Sequence, residues 1–162
     1  MTNIQRFQKI LKGNNLDGFF VTNPTNIFYL SGFRGISATE RESILVFSPK
    51  ATLITASLYQ NEARKLASKD LKVTIVPERH LMFEKTKSLL KNSKNIGFEQ
   101  DDLRFGEYQN LSLGSDPRKT LQKLLPFKNL VEDLRIIKSP DEIKKIEKAQ
   151  IISQKAFDQI VK

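Results

Sequence analysis

The chain holds few side chains capable of self-contained chemistry. Among 162 residues there is no cysteine and one histidine, His80, which excludes a thiolate nucleophile, a disulfide framework and a cysteine zinc site. Hydrolytic metal sites and Ser-His-Asp triads need imidazoles with partners at set spacings. His80 lies in Pro77-Glu78-Arg79-His80-Leu81, which reads as the exposed entrance to a helix. Two other stretches concentrate charge. Glu99-Gln100-Asp101-Asp102 places three carboxylates in four residues, the ligand type of a hard cation; between a strand and a helix, the expectation is that they cap or solvate a turn. Residues 32–43, Gly-Phe-Arg-Gly-Ile-Ser-Ala-Thr-Glu-Arg-Glu-Ser, show neither period and form a loop long and charged for a connection. No Gly-rich phosphate loop follows any strand.

The formal charge is +9, from 27 Lys+Arg against 18 Asp+Glu, which raises nucleic acid or an acidic membrane surface as partners. The distribution argues against both. Residues 1–117 carry 16 basic and 12 acidic side chains and residues 118–162 carry 11 and 6, so no block dominates. Nineteen of the 27 are Lys, whereas bidentate recognition of phosphate or guanine favours Arg. Solvated Lys faces are the expected role, with no nucleic-acid and no membrane partner. The longest apolar runs, such as Ile44-Leu45-Val46-Phe47, fall far below the ~18 residues of a membrane span, and the first residues have no signal-peptide core. A soluble, cytoplasmic protein is expected.

The periodicities supply the frame. Thr2-Asn3-Ile4-Gln5 fits a capping box, and Ile4, Phe7, Ile10 and Leu11 form a helical stripe ending near Gly13. Leu16–Thr22 reads as a strand apolar on both faces, and Asn23-Pro24 opens a short helix that Gly32 ends. Ile44–Phe47 and Thr52–Thr55 pair as a hairpin across Ser48-Pro49-Lys50-Ala51, and Ser57-Leu58-Tyr59-Gln60 is a second capping box opening a helix to about Ala67. Strands follow at Val73–Val76 and Asn95–Phe98, with helices at 80–91 and 104–113. Asp116-Pro117 starts a helix burying Leu121, Leu124 and Leu125, and Phe127–Val131 is the last strand. Alternating strands and helices predict a sheet covered on both faces, and the hairpin makes it mixed.

Ser139-Pro140-Asp141-Glu142 combines an N-cap Ser, Pro in the first helical position and the cap-to-Glu spacing of three. Ile143, Ile146, Ala149, Ile152, Ala156 and Ile160 then keep helical spacing to the last turn. An apolar stripe of that length needs a cover, so the expectation is an amino-terminal piece of a longer protein: residues 1–138 a domain, residues 139–162 the start of a linking helix.

Asn23-Pro24-Thr25-Asn26-Ile27-Phe28-Tyr29-Leu30-Ser31-Gly32-Phe33 resembles the Asn-Pro-x-Asn-x-x-Tyr-Leu-Thr-Gly-Phe segment of the creatinase/prolidase amino-terminal domain. In order, Ala51–Thr55 with Tyr59, Asn95-Ile96-Gly97-Phe98-Glu99, and Val131–Ile143 are similar to three further segments of that family, so the resemblance spans essentially the whole chain. It departs at Ala56-Ser57-Leu58-Tyr59, where relatives usually carry Asp-x-Arg-Tyr.

The resemblance implies a three-layer α/β/α domain with a mixed sheet of about five or six strands and ribonuclease H-like topology. It implies a non-catalytic domain ahead of a pita-bread catalytic domain in a Xaa-Pro aminopeptidase or dipeptidase that cleaves the bond before proline in short peptides. Two divalent metals, often manganese, would sit in that later domain, with no catalytic or metal residue in this chain, and the enzyme would be a homodimer. The family places the loop after Gly32-Phe33 near the neighbouring subunit's active site, making Arg34, Thr39, Glu40 and Arg41 the candidate access residues. Asn23, Pro24, Asn26, Tyr29, Gly32, Phe33 and Tyr59 are read as structural. The alternative is a peptidase-like interaction module without activity, which the missing Asp and Arg favour.

Overall fold

A computed structural model describes residues 1–37, 39–112 and 122–161, and the chain divides into two compact units, Met1–Val131 and Glu132–Lys162. The first unit is built on six strands: β1 (Gly18–Val21), β2 (Ser43–Ser48), β3 (Lys50–Ala56), β4 (Leu71–Val76), β5 (Asn95–Glu99) and β6 (Lys123–Phe127). Their order across the sheet is β4-β3-β2-β1-β5-β6. β2 runs antiparallel to β1 and β3, while β3/β4, β1/β5 and β5/β6 are parallel pairs. The β3-β2-β1-β5-β6 core is the ribonuclease H-like arrangement, with β4 added at one edge.

Successive side chains of a strand face opposite sides, and Phe19 and Phe20 show the consequence. Phe19 meets α1 (Asn3–Gly13), whose Phe7 ring lies edge-on to Phe19 at 5.2 Å and to Phe47 at 5.0 Å. Phe20 faces the other way, stacked on Phe98 and packed with Ile44, Val46, Ile54 and with Met82, Phe83 and Leu90 of α4 (Leu81–Leu90). Helix α2 (Pro24–Ser31) joins α1 on the first face, where the Asn3 amide donates to the Tyr29 carbonyl at 3.1 Å. Helix α5 (Phe105–Ser112) brings Leu111 to the second. Helices therefore cover both faces. The capping box of α1 is closed in both directions, Gln5 N–H to the Thr2 hydroxyl and Thr2 N–H to the Gln5 side chain.

Four sequence expectations are corrected. Leu124 and Leu125 belong to β6, not to a helix, and the last strand is Lys123–Phe127 rather than Phe127–Val131; residues 116–121 of that expected helix lie outside the described residues. β6 accommodates Pro126 because it lies at the end of the strand order. Lys123 N–H donates to Lys94 O and Phe127 O accepts from Gln100 N–H, so residues 123, 125 and 127 face β5 and the nitrogen of Pro126 faces outward, where no ladder bond is lost. The Ser57 capping box does not form. β3 continues to Ala56, which brings the Ser57 hydroxyl to the Val76 carbonyl at 3.2 Å, and a 3-10 turn over Ser57–Tyr59 leads into α3 (Gln60–Lys65). The hairpin is also tighter than expected, with Ser48 paired to Lys50 and Pro49 at its tip.

The second unit comprises α6 (Glu132–Ile136) and α7 (Pro140–Ile160). Glu142 N–H donates to the Ser139 hydroxyl and Ser139 N–H to the Glu142 carboxylate, so the predicted box is present. The apolar stripe of α7 is exposed, from Ile143 at 46% to Ile160 at 83%.

A Cβ on Gly97 would collide with the Phe19 ring and Leu16, whereas one on Gly13 meets nothing within 4 Å. Gly97→Ala should cost roughly 1–3 kcal/mol of unfolding free energy in urea, while Gly13→Ala at the end of α1 should be neutral or gain up to about 1 kcal/mol. Equal effects at the two positions would contradict the packing described.

Candidate functional site

Because β1, β3, β4 and β5 run the same way and β2 runs against them, one edge of the sheet collects the ends of those four strands and the start of β2. The segments after Val21, before Ser43, after Ala56, after Val76 and after Glu99 therefore meet there. The carboxyl ends of parallel strands are the usual place for a ligand crevice in such sheets. The 32–42 loop borders a small cleft walled by Thr22, Pro24, Phe33, Glu40 and Glu42.

Asn23 and Pro24 set the entrance of α2. The Asn23 side chain accepts from Thr25 N–H at 2.9 Å and Asn26 N–H at 3.2 Å, and Pro24 fills the first helical turn, where its missing donor costs nothing. Gly32 ends the helix at φ 79°, a left-handed conformation that favours glycine. Asn26 is buried, and its amide donates to Glu99 at 2.6 Å. The other Glu99 oxygen accepts from Thr22 N–H and Asn23 N–H, both at 2.7 Å. Glu99 is 8% exposed, and burial pushes its carboxyl up to about 7 against the pull of these donors, with the Asp102 charge pushing the same way. Tyr29 is half-buried with its hydroxyl accepting from Arg6 at 3.3 Å. Phe33 is buried edge-on to Tyr59.

Arg41 turns inward. Its Nε and one Nη2 donor take the two oxygens of Glu107, at 3.0 and 2.7 Å, and Nη1 reaches Asp102 at 2.6 Å. The remaining donors go to the carbonyls of Asp102 and Thr22. All five guanidinium N–H groups are thereby used. Burial opposes the charge, but Glu107 and Asp102 outweigh it and hold the guanidinium above its ordinary value, while Arg41 brings Glu107 below the usual carboxylate range despite that group's own burial.

The other candidate access residues stay outside. Arg34 is exposed, its guanidinium 5.8 Å from the Phe28 ring centre. The Thr39 carbonyl accepts from Arg104, and the exposed Glu40 pairs with Arg79 from the segment after β4. Glu40 and Arg41, adjacent in sequence, thus bind different parts of the fold. Ile36 projects at 87% exposure.

The expectation that residues 99–102 cap or solvate a turn is corrected for two of their three carboxylates: Glu99 is enclosed by N–H donors, and Asp102 is ion-paired to Arg41. Sequence reasoning also passed over Glu42 and Glu107. A signal for Glu99 existed in its position closing an apolar strand; the partners of Arg41 lie 61 and 66 residues away, and no local pattern marks them. Among the described residues no group of three or more His, Cys, Asp or Glu is placed to hold a metal ion. His80 is exposed, beside Glu78 at 3.2 Å.

Residues 3–137 match the family described as Creatinase/Prolidase N-terminal domain. The uncharacterized peptidase YqhT of Bacillus subtilis is 29% identical over 161 residues, covering 98% of this chain and 42% of the relative. The Xaa-Pro dipeptidase of Pyrococcus furiosus is 28% identical over 153 residues, covering 94% and 40%. Among solved structures, the Xaa-Pro dipeptidase from Bacillus anthracis superposes with a TM-score of 0.80 at 26% identity, over 98% of this chain and 42% of the other. The X-Pro aminopeptidase from Thermotoga maritima gives 0.77 at 26%, over 98% and 43%. The chain spans about two fifths of the length of the curated relatives it matches.

Arg41→Ala leaves Asp102 and Glu107 without their cation and should lower stability by roughly 2–4 kcal/mol in urea at neutral pH; a loss under about 1 kcal/mol would class the cluster with ordinary surface pairs. Glu99 titrates separately. Its proton stays on up to about pH 7 in the folded chain, against 4.5 for the ordinary group. The stability it contributes is whole below pH 4.5 and is lost as pH rises through 7. The unfolding free energy of the wild type minus that of Glu99→Gln should therefore fall by up to roughly 3 kcal/mol between pH 4.5 and 8, and a flat difference would contradict the raised carboxyl.

Proposed function

The chain belongs to the creatinase/prolidase N-terminal domain family, and we propose that it is the non-catalytic amino-terminal domain of a Xaa-Pro metallopeptidase, shaping access of short peptides to a catalytic domain and contributing to a homodimer. The observation that carries this reading is the family match over residues 3–137 together with relatives named Xaa-Pro dipeptidase, of whose length the chain spans about 40%. In this reading the parent hydrolyses the peptide bond before proline with two divalent metals, manganese by family likeness, bound outside this chain. Such a metal pair polarises the scissile carbonyl and activates water; no step of that chemistry falls to the residues described here. The cysteine-free composition suits the reducing cytoplasm.

The access role falls to the loop tip. Arg41, with every donor engaged, serves as its anchor. Arg34, with no carboxylate partner among the described residues, is the group available to a peptide's carboxylate, and Thr39 and Glu40 border the approach. The departure at Ala56-Ser57-Leu58 supports the second reading, a peptidase-like interaction module without activity.

An assay of the whole protein with Xaa-Pro dipeptides and longer Xaa-Pro peptides, with and without added manganese, separates the two. Turnover that a chelator abolishes and manganese restores is expected, with Arg34→Ala raising KM while kcat changes little. No turnover of any Xaa-Pro peptide at saturating manganese would overturn the enzyme reading in favour of the interaction module.

A further inference from the structure

We propose that Glu42 and Tyr59 are positioning residues for the 32–42 loop: their hydrogen bond, on which the Ile36 and Ser37 amides close, sets the path of the exposed tip. The inference rests on the reading above that this tip limits access to the parent's site.

Glu42 is 7% exposed and Tyr59 6%. The Tyr59 hydroxyl donates to one Glu42 oxygen and accepts from Ile36 N–H at 3.4 Å; the other Glu42 oxygen accepts from Ser37 N–H at 3.0 Å. Burial and then the Glu42 bond push the phenol above its ordinary value, so it remains a donor. A Cβ on Gly35 would collide with the Glu42 carboxylate, so the backbone at residue 35 rests directly on that group. Three consecutive residues, 35 to 37, thus take their course from one carboxylate and one phenol.

The pair is itself fixed from behind. The Glu42 carbonyl accepts from the Thr55 hydroxyl at 2.7 Å, and Phe33 holds the Tyr59 ring edge-on at 5.5 Å. This pair holds the loop at residues 35–37, the guanidinium holds it at residue 41, and Arg104 and Arg79 meet Thr39 and Glu40 between them. A buried carboxylate that takes a loop amide on one oxygen and, on the other, a phenol that itself accepts the neighbouring loop amide is a directional device. An apolar side chain of equal size would fill the space without fixing those two amides.

The test is made on the whole protein, reading amide hydrogen exchange and Xaa-Pro peptide kinetics side by side. Tyr59→Phe should speed exchange at Ile36 and Ser37 by about fivefold or more, the worth of one ordinary hydrogen bond, with β2 and β3 amides unchanged and KM altered more than kcat. Glu42→Gln, which keeps one acceptor, should give a smaller rise. If Tyr59→Phe fails to fold, Gly35→Ala displaces the carboxylate directly and should reproduce the local exchange. Unchanged exchange at Ile36 and Ser37 in a folded variant would overturn the inference and leave the pair as core packing. Faster local exchange with KM unmoved would uphold the positioning role while overturning the access reading on which its purpose rests.

Discussion

A carboxyl group enclosed at the end of β5 organises this edge of the molecule. Glu99 costs free energy to bury, and the cost is met by three N–H donors from one short stretch, Thr22, Asn23 and Asn26. Those donors belong to the end of β1 and the first turn of α2, so the carboxyl can be buried only if that turn stands where it does. Thr22 then passes the constraint on: its amide is held by Glu99, and its carbonyl is one of the five acceptors of Arg41. Removing order at residue 99 would loosen the route from the sheet to the loop.

Charge in this chain is spent in two different ways. Most of the lysines sit on solvated faces, in keeping with their even distribution. The arginines and carboxylates at the edge are engaged with one another: Arg41 with Asp102 and Glu107, Arg79 with Glu40, Arg104 with the Thr39 carbonyl. Each of these side chains has a partner of opposite charge or a carbonyl within hydrogen-bond reach. The loop carries so many ionic groups because a segment with little apolar area must be held by polar bonds instead.

Local patterns made much of the frame legible. Capping boxes at Thr2 and Ser139, the apolar run at β1, and the glycine that ends α2 each act within a few residues, and each held. Where a distant neighbour decided the outcome, the sequence misled. Ser57 carries the spacing of a helix cap, yet the end of β4 offers its hydroxyl a nearer carbonyl. Leu124 and Leu125 have the spacing of a helix face, and only their place beside β5 makes them a strand. At the candidate site the loop was visible as a long charged segment, but the inward turn of Arg41, the burial of Glu99 and the Glu42–Tyr59 pair depend on contacts tens of residues apart.

The proline in the outermost strand has a consequence for what the sheet refuses. A row of free N–H and C=O groups along an edge is a template on which another chain's strand can lay itself down, the first step of fibre growth. Pro126 deletes a donor from that row, and Lys123 at the head of the strand would carry its ammonium into any seam that formed. Among the described residues the pleated array ends at β6 much as a polymer ends at a capped monomer, with one of the propagating donors removed.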